Sequence, residues 1–242
     1  MTGLQRNMST LLNHDGKLFV AAFDHPQIYG AMAGLEKPYE TIQKTAKTKI
    51  DGFILNPGII QNLDASIIKD KKLILRASLG GTMMATEFPD FHEVMCSPKQ
   101  ALNLGADAIL VMLALGGSKD KESMLEVART CDRYHEYGIP VIAEVLAADY
   151  TKNNETEFIR NGARIAAELG ADMVKAFYCY DFASVVDNCP VPIVLAGGPK
   201  DTDIRTVAET VVKAGAVGFA FGRNIFQSED PAAIIKDLDA IL

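Results

Sequence analysis

The sequence predicts an α/β protein built as a single (βα)8 barrel, the TIM-barrel architecture, over residues 1–242. The first observation is length, because 242 residues match the roughly 250 that one such barrel needs. The second is a recurring short apolar run, nearly continuous as in a buried parallel strand. The third is that a polar turn and an amphipathic segment follow each run, with no linker or break in composition between units.

Eight apolar runs are the predicted strands of the barrel. They cover residues 18–23, 52–56, 73–77, 108–113, 140–145, 172–177, 192–197 and 217–222. The alternative is an open doubly wound sheet, but no run is followed by the GxGxxG of a dinucleotide-binding fold. Residues 4–13 are expected to form a helix that closes the bottom of the barrel. Asp230 and Pro231 predict the N-cap and first residue of a last helix that runs through Leu242.

Composition and charge exclude several classes of protein. A formal net charge of −7 argues against a nucleic-acid partner, which a basic surface would bind. Neither a secretory signal nor an apolar stretch approaching 18 residues is present, so no membrane partner is expected. The four cysteines lack paired spacing and indicate reduced thiols and a cytoplasmic location. The four histidines are scattered, so the sequence predicts no metal site, and no other cofactor is expected.

The barrel prediction indicates where chemistry should lie. In this fold, active sites form at the carboxyl ends of the strands, in the loops that lead into the helices. The polar residues at predicted strand ends are Asp24, His25, Asn56, Arg76, Glu144, Lys175, Lys200 and Arg223.

Lys175 is the most informative of these residues. It lies near the end of the sixth predicted strand in GADMVKAFY, where alternation places Met173, Lys175 and Phe177 on one face. If that face points into the barrel, apolar surroundings lower the pKa of the amine and make it a nucleophile toward ketones. The alternative is a lysine that reaches the rim or pairs with a carboxylate to hold the loop.

Two glycine-containing loops predict a phosphate site. Gly197 and Gly198 follow the seventh strand, and Gly222 and Arg223 follow the eighth. Glycine lets the backbone approach an anion closely, and loops seven and eight commonly hold a substrate phosphate in such barrels. The alternative is that these glycines serve only tight turns.

Acidic residues at the first and fifth strand ends are candidates for proton transfer. Asp24 could orient a substrate hydroxyl or exchange protons, or it could form a salt bridge with Lys175. Glu144 could relay protons or pair with a lysine. For His25 a structural role is the default, and for Arg76 a structural ion pair is favoured over binding a second anionic group of the substrate.

The chain resembles the DhnA-type class I aldolases along its whole length. The resemblance is carried by AFDHPQ (22–27), LGGT (79–82), GGSKDKESMLE (116–126), RIAAELGADMVKAFY (164–178), LAGGPKD (195–201) and FGRNIFQ (221–227). It implies that Lys175 forms a Schiff base and that Asp24 is an active-site acid. It also implies a phosphate held by Gly197, Gly198, Gly222 and Arg223, with Lys200 nearby. Members of this family are commonly homo-oligomers, so a homo-oligomer is expected.

One departure from the family concerns the acid–base residue. Many members carry a Tyr-Pro-Arg-Gly motif after strand five, and that tyrosine exchanges protons. Here the stretch reads Leu146-Ala147-Ala148-Asp149, so the candidates become Glu144, Asp24, Tyr178 and Tyr150. The resemblance implies a carbon–carbon lyase of carbohydrate metabolism that reversibly cleaves a phosphorylated sugar or ketose-like substrate. The alternatives are thiolase-type acyl transfer from a phosphorylated dione to coenzyme A, and a phosphate-ligand or flavin barrel without covalent chemistry.

Overall fold

Eight parallel strands close into a barrel in the computed structural model, which describes residues 2–13, 15–85, 90–197 and 203–242. The strands are β1 (Leu18–Ala22), β2 (Gly52–Leu55), β3 (Lys72–Arg76), β4 (Ala108–Leu115), β5 (Val141–Ala147), β6 (Met173–Ala176), β7 (Ile193–Leu195) and β8 (Gly218–Phe221). Each one pairs with the next, and β8 pairs with β1 to close the sheet. Every strand overlaps its predicted run, so the predicted fold class is confirmed.

Side chains alternate between two apolar layers. Those that point into the barrel form one cluster, which includes Leu18, Val20, Ala22, Ile54, Ile74, Leu110, Ile142, Met173, Val194 and Ala220. Those that point outward pack against the helices in a second, larger cluster. Because strands in a closed barrel are covered on both faces, their sequences are almost continuously apolar.

Helices surround the barrel and close its bottom. They are α1 (Gly3–Leu11), α2 (Pro26–Tyr29), α3 (Pro38–Ala46), α4 (Pro57–Asn62), α5 (Pro98–Asn103), α6 (Asp120–His135), α7 (Thr156–Glu168), α8 (Phe182–Asn188), α9 (Ile204–Lys213), α10 (Arg223–Phe226) and α11 (Pro231–Asp239), with 3-10 turns at Ala65–Ile67 and Tyr150–Asn154. In the part of the chain that the structure describes, none of these helices combines the length and the apolarity that a membrane span requires.

The two terminal helices follow the sequence predictions closely. Thr2 and Gln5 form a reciprocal capping box at the start of α1, and Leu11 at its end packs into the inner cluster. The prediction that this helix closes the bottom of the barrel is therefore confirmed. The Asp230 carboxylate accepts hydrogen bonds from two backbone N–H groups of α11, which ends at Asp239, three residues before the predicted end.

A short antiparallel sheet after β3 was not predicted. It pairs Ser78–Leu79 with Glu93–Val94, and two-residue strands are too short to show any periodicity in sequence. The sheet holds Ser78 beside the barrel, where its hydroxyl accepts a hydrogen bond from the Met112 N–H at 3.0 Å. This small sheet therefore ties the loop after β3 to the middle of β4.

Gly218 lies at the seam where β8 pairs with β1 to close the barrel. Its substitution tests how closely these two strands pack. A Cβ at this position would lie 1.9 Å from the carbonyl oxygen of Leu18, and the φ of +155° disfavours any other residue. We expect Gly218→Ala to lower the free energy of unfolding by about 2 kcal/mol, because β8 and β1 must separate. Denaturant titration followed by circular dichroism measures the loss.

Gly58→Ala is the matched control for the seam. In α4 a Cβ at this position would meet nothing within 4 Å, so alanine should not destabilise the protein. Equal stabilities of the two alanine variants would contradict the close approach at Gly218.

Candidate active site

A cavity of about 360 Å³ opens at the carboxyl ends of the barrel strands. Its polar lining includes Asp24, His25, Arg76, Glu144, Lys175 and Arg223. Six of the eight predicted strand-end residues therefore meet in one place. Asn56 instead donates a hydrogen bond from Nδ2 to the Asp24 carbonyl at 2.9 Å and supports the loop after β1. Lys200 lies outside the described residues.

Lys175 lies on the inner wall of the barrel. Its side chain follows Met173 on the inward face of β6 and is only 5% exposed. The amine is not enclosed by apolar groups alone, because Nζ lies 2.7 Å from Oε1 of Glu144, and the alternative of pairing with a carboxylate is what the structure shows. Register explains this pairing: Glu144 on β5 lies directly beside Lys175 on β6.

Arg76 joins the two carboxylates of the site. Its Nη1 lies 3.0 Å from Oδ2 of Asp24 and 3.0 Å from Oε2 of Glu144, and its Nε donates to the Ser78 carbonyl at 3.1 Å. The structure therefore shows the ion pair that the sequence analysis favoured for Arg76. Asp24 pairs with this arginine, so the predicted alternative of an Asp24–Lys175 bridge is wrong.

The charges of this buried cluster balance one another. Asp24 and Glu144 face Arg76 and Lys175, and all four side chains are at least nine-tenths buried. Burial raises the pKa of Glu144, but the positive charges of Lys175 and Arg76 outweigh it and hold that pKa below its ordinary value. Glu144 is therefore a carboxylate at neutral pH.

The predicted phosphate residues gather at one side of the cavity. Gly197, Gly222 and Arg223 all line it, and the Asn224 side chain lies beside them. Asn224 was missed, although it stands in the FGRNIF segment that drew attention to Arg223. Gly198 lies outside the described residues, as Lys200 does.

Comparison with known proteins identifies the family. The sequence model of the DeoC/LacD family aldolases matches residues 18–228. The chain belongs to this family. The resemblance to class I aldolases is thereby confirmed, and the protein is an aldolase-type enzyme.

Relatives of this aldolase have several activities. It is 31% identical to 2-amino-3,7-dideoxy-D-threo-hept-6-ulosonate synthase 1 of Archaeoglobus fulgidus, covering 100% of this chain and 92% of the relative. It is 29% identical to the 3-hydroxy-5-phosphonooxypentane-2,4-dione thiolase of Klebsiella pneumoniae, with 99% and 81% coverage.

Solved aldolase structures superpose on this aldolase over nearly their whole length. A Schiff-base-forming fructose-1,6-bisphosphate aldolase matches with a TM-score of 0.87 and 27% identity, covering 98% of this chain and 99% of the other. An archaeal fructose-1,6-bisphosphate aldolase, whose catalytic lysine is covalently bound to the carbinolamine intermediate, matches with a TM-score of 0.87 and 26% identity, covering 98% of each chain.

Of the two candidate tyrosines, Tyr150 lines the cavity and Tyr178 does not. Alternation turns Tyr178 away from Lys175, and its ring packs with the outer apolar cluster rather than lining the cavity. A catalytic role for Tyr178 is therefore not supported. Tyr150, in the turn after β5, lines the cavity and packs edge-on against Phe177, with ring centroids 6.4 Å apart. Leu146 fills the inward position at the end of β5.

His25 is part of the cavity wall, although its sequence position indicated only a structural role. Its ring packs edge-on against Phe226 at 5.4 Å, and its Nδ1 lies 3.6 Å from Oδ1 of Asp24. Burial lowers the pKa of His25, while the Asp24 carboxylate opposes that shift. The imidazole is therefore neutral at neutral pH.

Proposed function

We propose that this protein is a class I aldolase that cleaves a phosphorylated ketose-type substrate reversibly through an iminium on Lys175. The observation that carries the proposal is the buried amine of Lys175 at the wall of the cavity, 2.7 Å from Glu144. Family membership and the covalent lysine of the similar archaeal aldolase support it.

The ion pair suits formation of the Schiff base. A lysine must lose a proton before its amine can attack a ketone. Glu144 lies within hydrogen-bond distance to take up that proton as the amine adds. Glu144 then returns the proton to the carbinolamine hydroxyl, which leaves as water. The cationic iminium faces the same carboxylate, whose charge stabilises it.

The iminium supplies the driving force for cleavage. It accepts the electrons of the neighbouring carbon–carbon bond and becomes an enamine as the aldehyde half leaves. Arg76 keeps Glu144 in position, since it bonds the second oxygen of that carboxylate. Asp24 is held by the same guanidinium at the end of β1.

The phosphate of the substrate would lie beside Arg223, Gly197 and Gly222, which line the same cavity as the amine. A guanidinium forms strong charge-assisted hydrogen bonds with phosphate oxygens. Gly198 and Lys200 stay predicted members of this site. The substrate would thus be held at its phosphate while its ketone reaches Lys175.

Borohydride trapping tests the proposal. The wild-type protein is incubated with a panel of ketose phosphates and with dihydroxyacetone phosphate, reduced with borohydride, and digested for mass spectrometry. We expect one reduced adduct per chain on the peptide that contains Lys175. If no phosphorylated ketone gives an adduct, the covalent mechanism is wrong and a barrel that only binds a phosphorylated ligand is favoured.

Arg223→Met tests the phosphate site. Because a charge-assisted hydrogen bond contributes about 1.5–3 kcal/mol, we expect KM for the phosphorylated substrate to rise roughly 10–100-fold with little change in kcat. Steady-state kinetics measure both constants. A substrate without the phosphate should be turned over equally by the two proteins.

Arg129→Met is the control for this substitution, because Arg129 is exposed on the outer helix α6. An unchanged KM in Arg223→Met, or an equal rise in Arg129→Met, would contradict a phosphate contact at Arg223.

A second candidate is acyl transfer to coenzyme A. Leu146 favours it, because an apolar side chain fills the inward position at the end of β5, where many Schiff-base aldolases carry their tyrosine. The thiolase of Klebsiella pneumoniae is among the similar proteins. Consumption of coenzyme A in the presence of a phosphorylated dione would favour this activity, whereas aldehyde release without coenzyme A would favour the aldolase.

Assembly and location stay predictions. We infer a homo-oligomer and a cytoplasmic location from the sequence and its resemblance. Size-exclusion chromatography with light scattering measures the mass of the assembly directly.

A further inference from the structure

We propose that His25 is the acid–base residue of the cleavage, removing the substrate hydroxyl proton and returning it to the enamine carbon. This role rests on the proposed function, because it requires the iminium on Lys175. Many family members use a tyrosine after β5 for this proton transfer. That tyrosine is absent here, and His25 takes its role.

Close packing holds the imidazole on the cavity wall. On one side the ring meets Phe226 edge-on, with an interplanar angle of 73°. On the other side lies Gly222, where a Cβ would stand 2.2 Å from Cε1 of the imidazole. Only glycine leaves room for the ring in this position. The segments that follow β1 and β8 therefore fix His25 between them, as a catalytic base requires.

Asp24 is placed to orient the ring. Nδ1 of His25 is buried, has no hydrogen-bond partner among the described residues, and lies 3.6 Å from Oδ1 of Asp24. In the proposed role, Nδ1–H donates to this carboxylate after a small rotation of the ring. The other oxygen of Asp24 is anchored by Arg76. That tautomer leaves the lone pair of Nε2 free to accept a proton from the substrate.

The other candidates are poorly suited to take the proton of the substrate hydroxyl. Both carboxylate oxygens of Glu144 are already engaged, Oε1 by Lys175 and Oε2 by Arg76, so Glu144 serves the amine rather than the hydroxyl. Burial raises the pKa of Tyr150, so its phenol stays protonated at neutral pH.

The surroundings of His25 keep it neutral. Besides Asp24 on its own segment, the charged groups that act on it are Glu144 on β5, Lys175 on β6 and Arg223 at the start of α10. Burial is the largest influence and lowers the pKa of the imidazole. A neutral imidazole is an efficient proton acceptor near pH 7.

The proton and electron movements balance over the cycle. Nε2 of His25 removes the proton from the hydroxyl on the carbon that becomes the aldehyde. The oxygen forms a carbonyl, the carbon–carbon bond breaks, and its electrons form the enamine and neutralise the iminium nitrogen. The aldehyde leaves, and the imidazolium gives its proton to the enamine carbon. Water then hydrolyses the resulting iminium and frees both the ketone and Lys175.

Hydrogen exchange into dihydroxyacetone phosphate isolates this step. The probe carries the ketone and phosphate but needs no aldehyde partner, and exchange of its α-hydrogen for deuterium, followed by NMR, reports proton transfer between enamine and base. In His25→Asn we expect exchange to slow by about 100-fold or more. The final yield of borohydride adduct after prolonged incubation should match that of the wild type.

The pH profile gives a second readout. Wild-type exchange should fall as the pH drops through the pKa of His25, because the imidazolium cannot accept a proton. That acid limb should vanish in His25→Asn. His135→Asn is the matched control, because His135 pairs with Asp172 at the opposite end of the barrel and should leave rate and profile unchanged. His25→Gln is made in parallel, so that a folded variant is tested.

Three results would overturn the assignment. One is exchange within threefold of the wild-type rate in a folded His25 variant. Another is loss of exchange in Tyr150→Phe while His25→Asn retains it. The third is loss of the final adduct yield in His25→Asn, which would show that His25 acts in forming the Schiff base on Lys175 instead. If the wild type itself forms no adduct, the proposed function fails, and the role of His25 fails with it.

Discussion

Replacing Lys175 with methionine should abolish the borohydride adduct and lower kcat by about 10⁴-fold or more, the scale of loss seen when a covalent nucleophile is removed. At 1.36 kcal/mol per factor of ten, this loss is about 5 kcal/mol of transition-state stabilisation. The physical reason is that no other described amine lines the cavity. Intact-protein mass spectrometry after reduction measures the adduct, and steady-state kinetics measure the rate.

The substitution should leave the barrel folded. Methionine fills a similar volume against the apolar inner layer, and Glu144 keeps its bond to Arg76 when the amine is gone. Lys213→Met is the matched control, because that lysine is 80% exposed at the end of α9. It should keep the full adduct yield and full turnover. An adduct at wild-type yield in folded Lys175→Met would refute the Schiff base at this residue.

The fold was predictable because each strand is buried on both faces. Long apolar runs, their number and the polar segments between them follow from that burial, and the observed strands overlap all eight runs. The same alternation placed Lys175 on one face with Met173, and the structure shows that this face points into the barrel. What could not be predicted was the two-residue pair Ser78–Leu79 and Glu93–Val94, which depends on contacts between segments distant in sequence.

The candidate site was predictable only one residue at a time. Strand ends identified Asp24, Glu144 and Lys175, because carboxyl ends of parallel strands converge. The sequence could not decide which acid pairs with Lys175, since the pairing depends on the register between neighbouring strands, and register placed Glu144 beside Lys175. Arg76 reaches both carboxylates from β3 across the barrel, a distance that no local pattern encodes.

Residues beyond a strand end are less predictable still. Tyr178 was a candidate acid–base residue, but its position in the alternation turns it outward. Tyr150 reaches the cavity through a 3-10 turn, Tyr150–Asn154, whose direction is fixed by Asn153, which accepts from the Ala147 N–H at 2.9 Å. Such a turn has no periodic signature.

The second large effect is expected at Arg76. Arg76→Met should lower the free energy of unfolding by about 3–5 kcal/mol, because breaking a buried pair leaves a charge without a partner. The guanidinium is 2% exposed and bonds both carboxylates, so its loss leaves Asp24 without its cation while Glu144 keeps Lys175. Denaturant titration measures the change. Arg164→Met is the matched control, because the Arg164–Glu168 pair is more than half exposed and should contribute less than about 1 kcal/mol.

The pH dependence of stability should change in the same variant. Because the folded-state pKa of Glu144 lies below its ordinary value, its ionisation stabilises the wild type above the ordinary carboxyl pKa, and this contribution is lost as the pH falls through the folded value. Removing Arg76 takes away one of the two cations that hold this pKa down. Acid unfolding of Arg76→Met should therefore begin at a higher pH than that of the wild type.

A second substitution separates the lost charge balance from lost packing. If the cost arises from the uncompensated carboxylate, Arg76→Met combined with Asp24→Asn should be more stable than Arg76→Met alone, since the amide carries no charge. If the cost arises from the shape of the side chain, the second change should only add to it. Recovery of at least about 1 kcal/mol in the double variant would show that Arg76 stabilises the barrel mainly by neutralising the acids of its own active site. A double variant less stable than Arg76→Met would show instead that packing, and the hydrogen bond to Ser78, dominate.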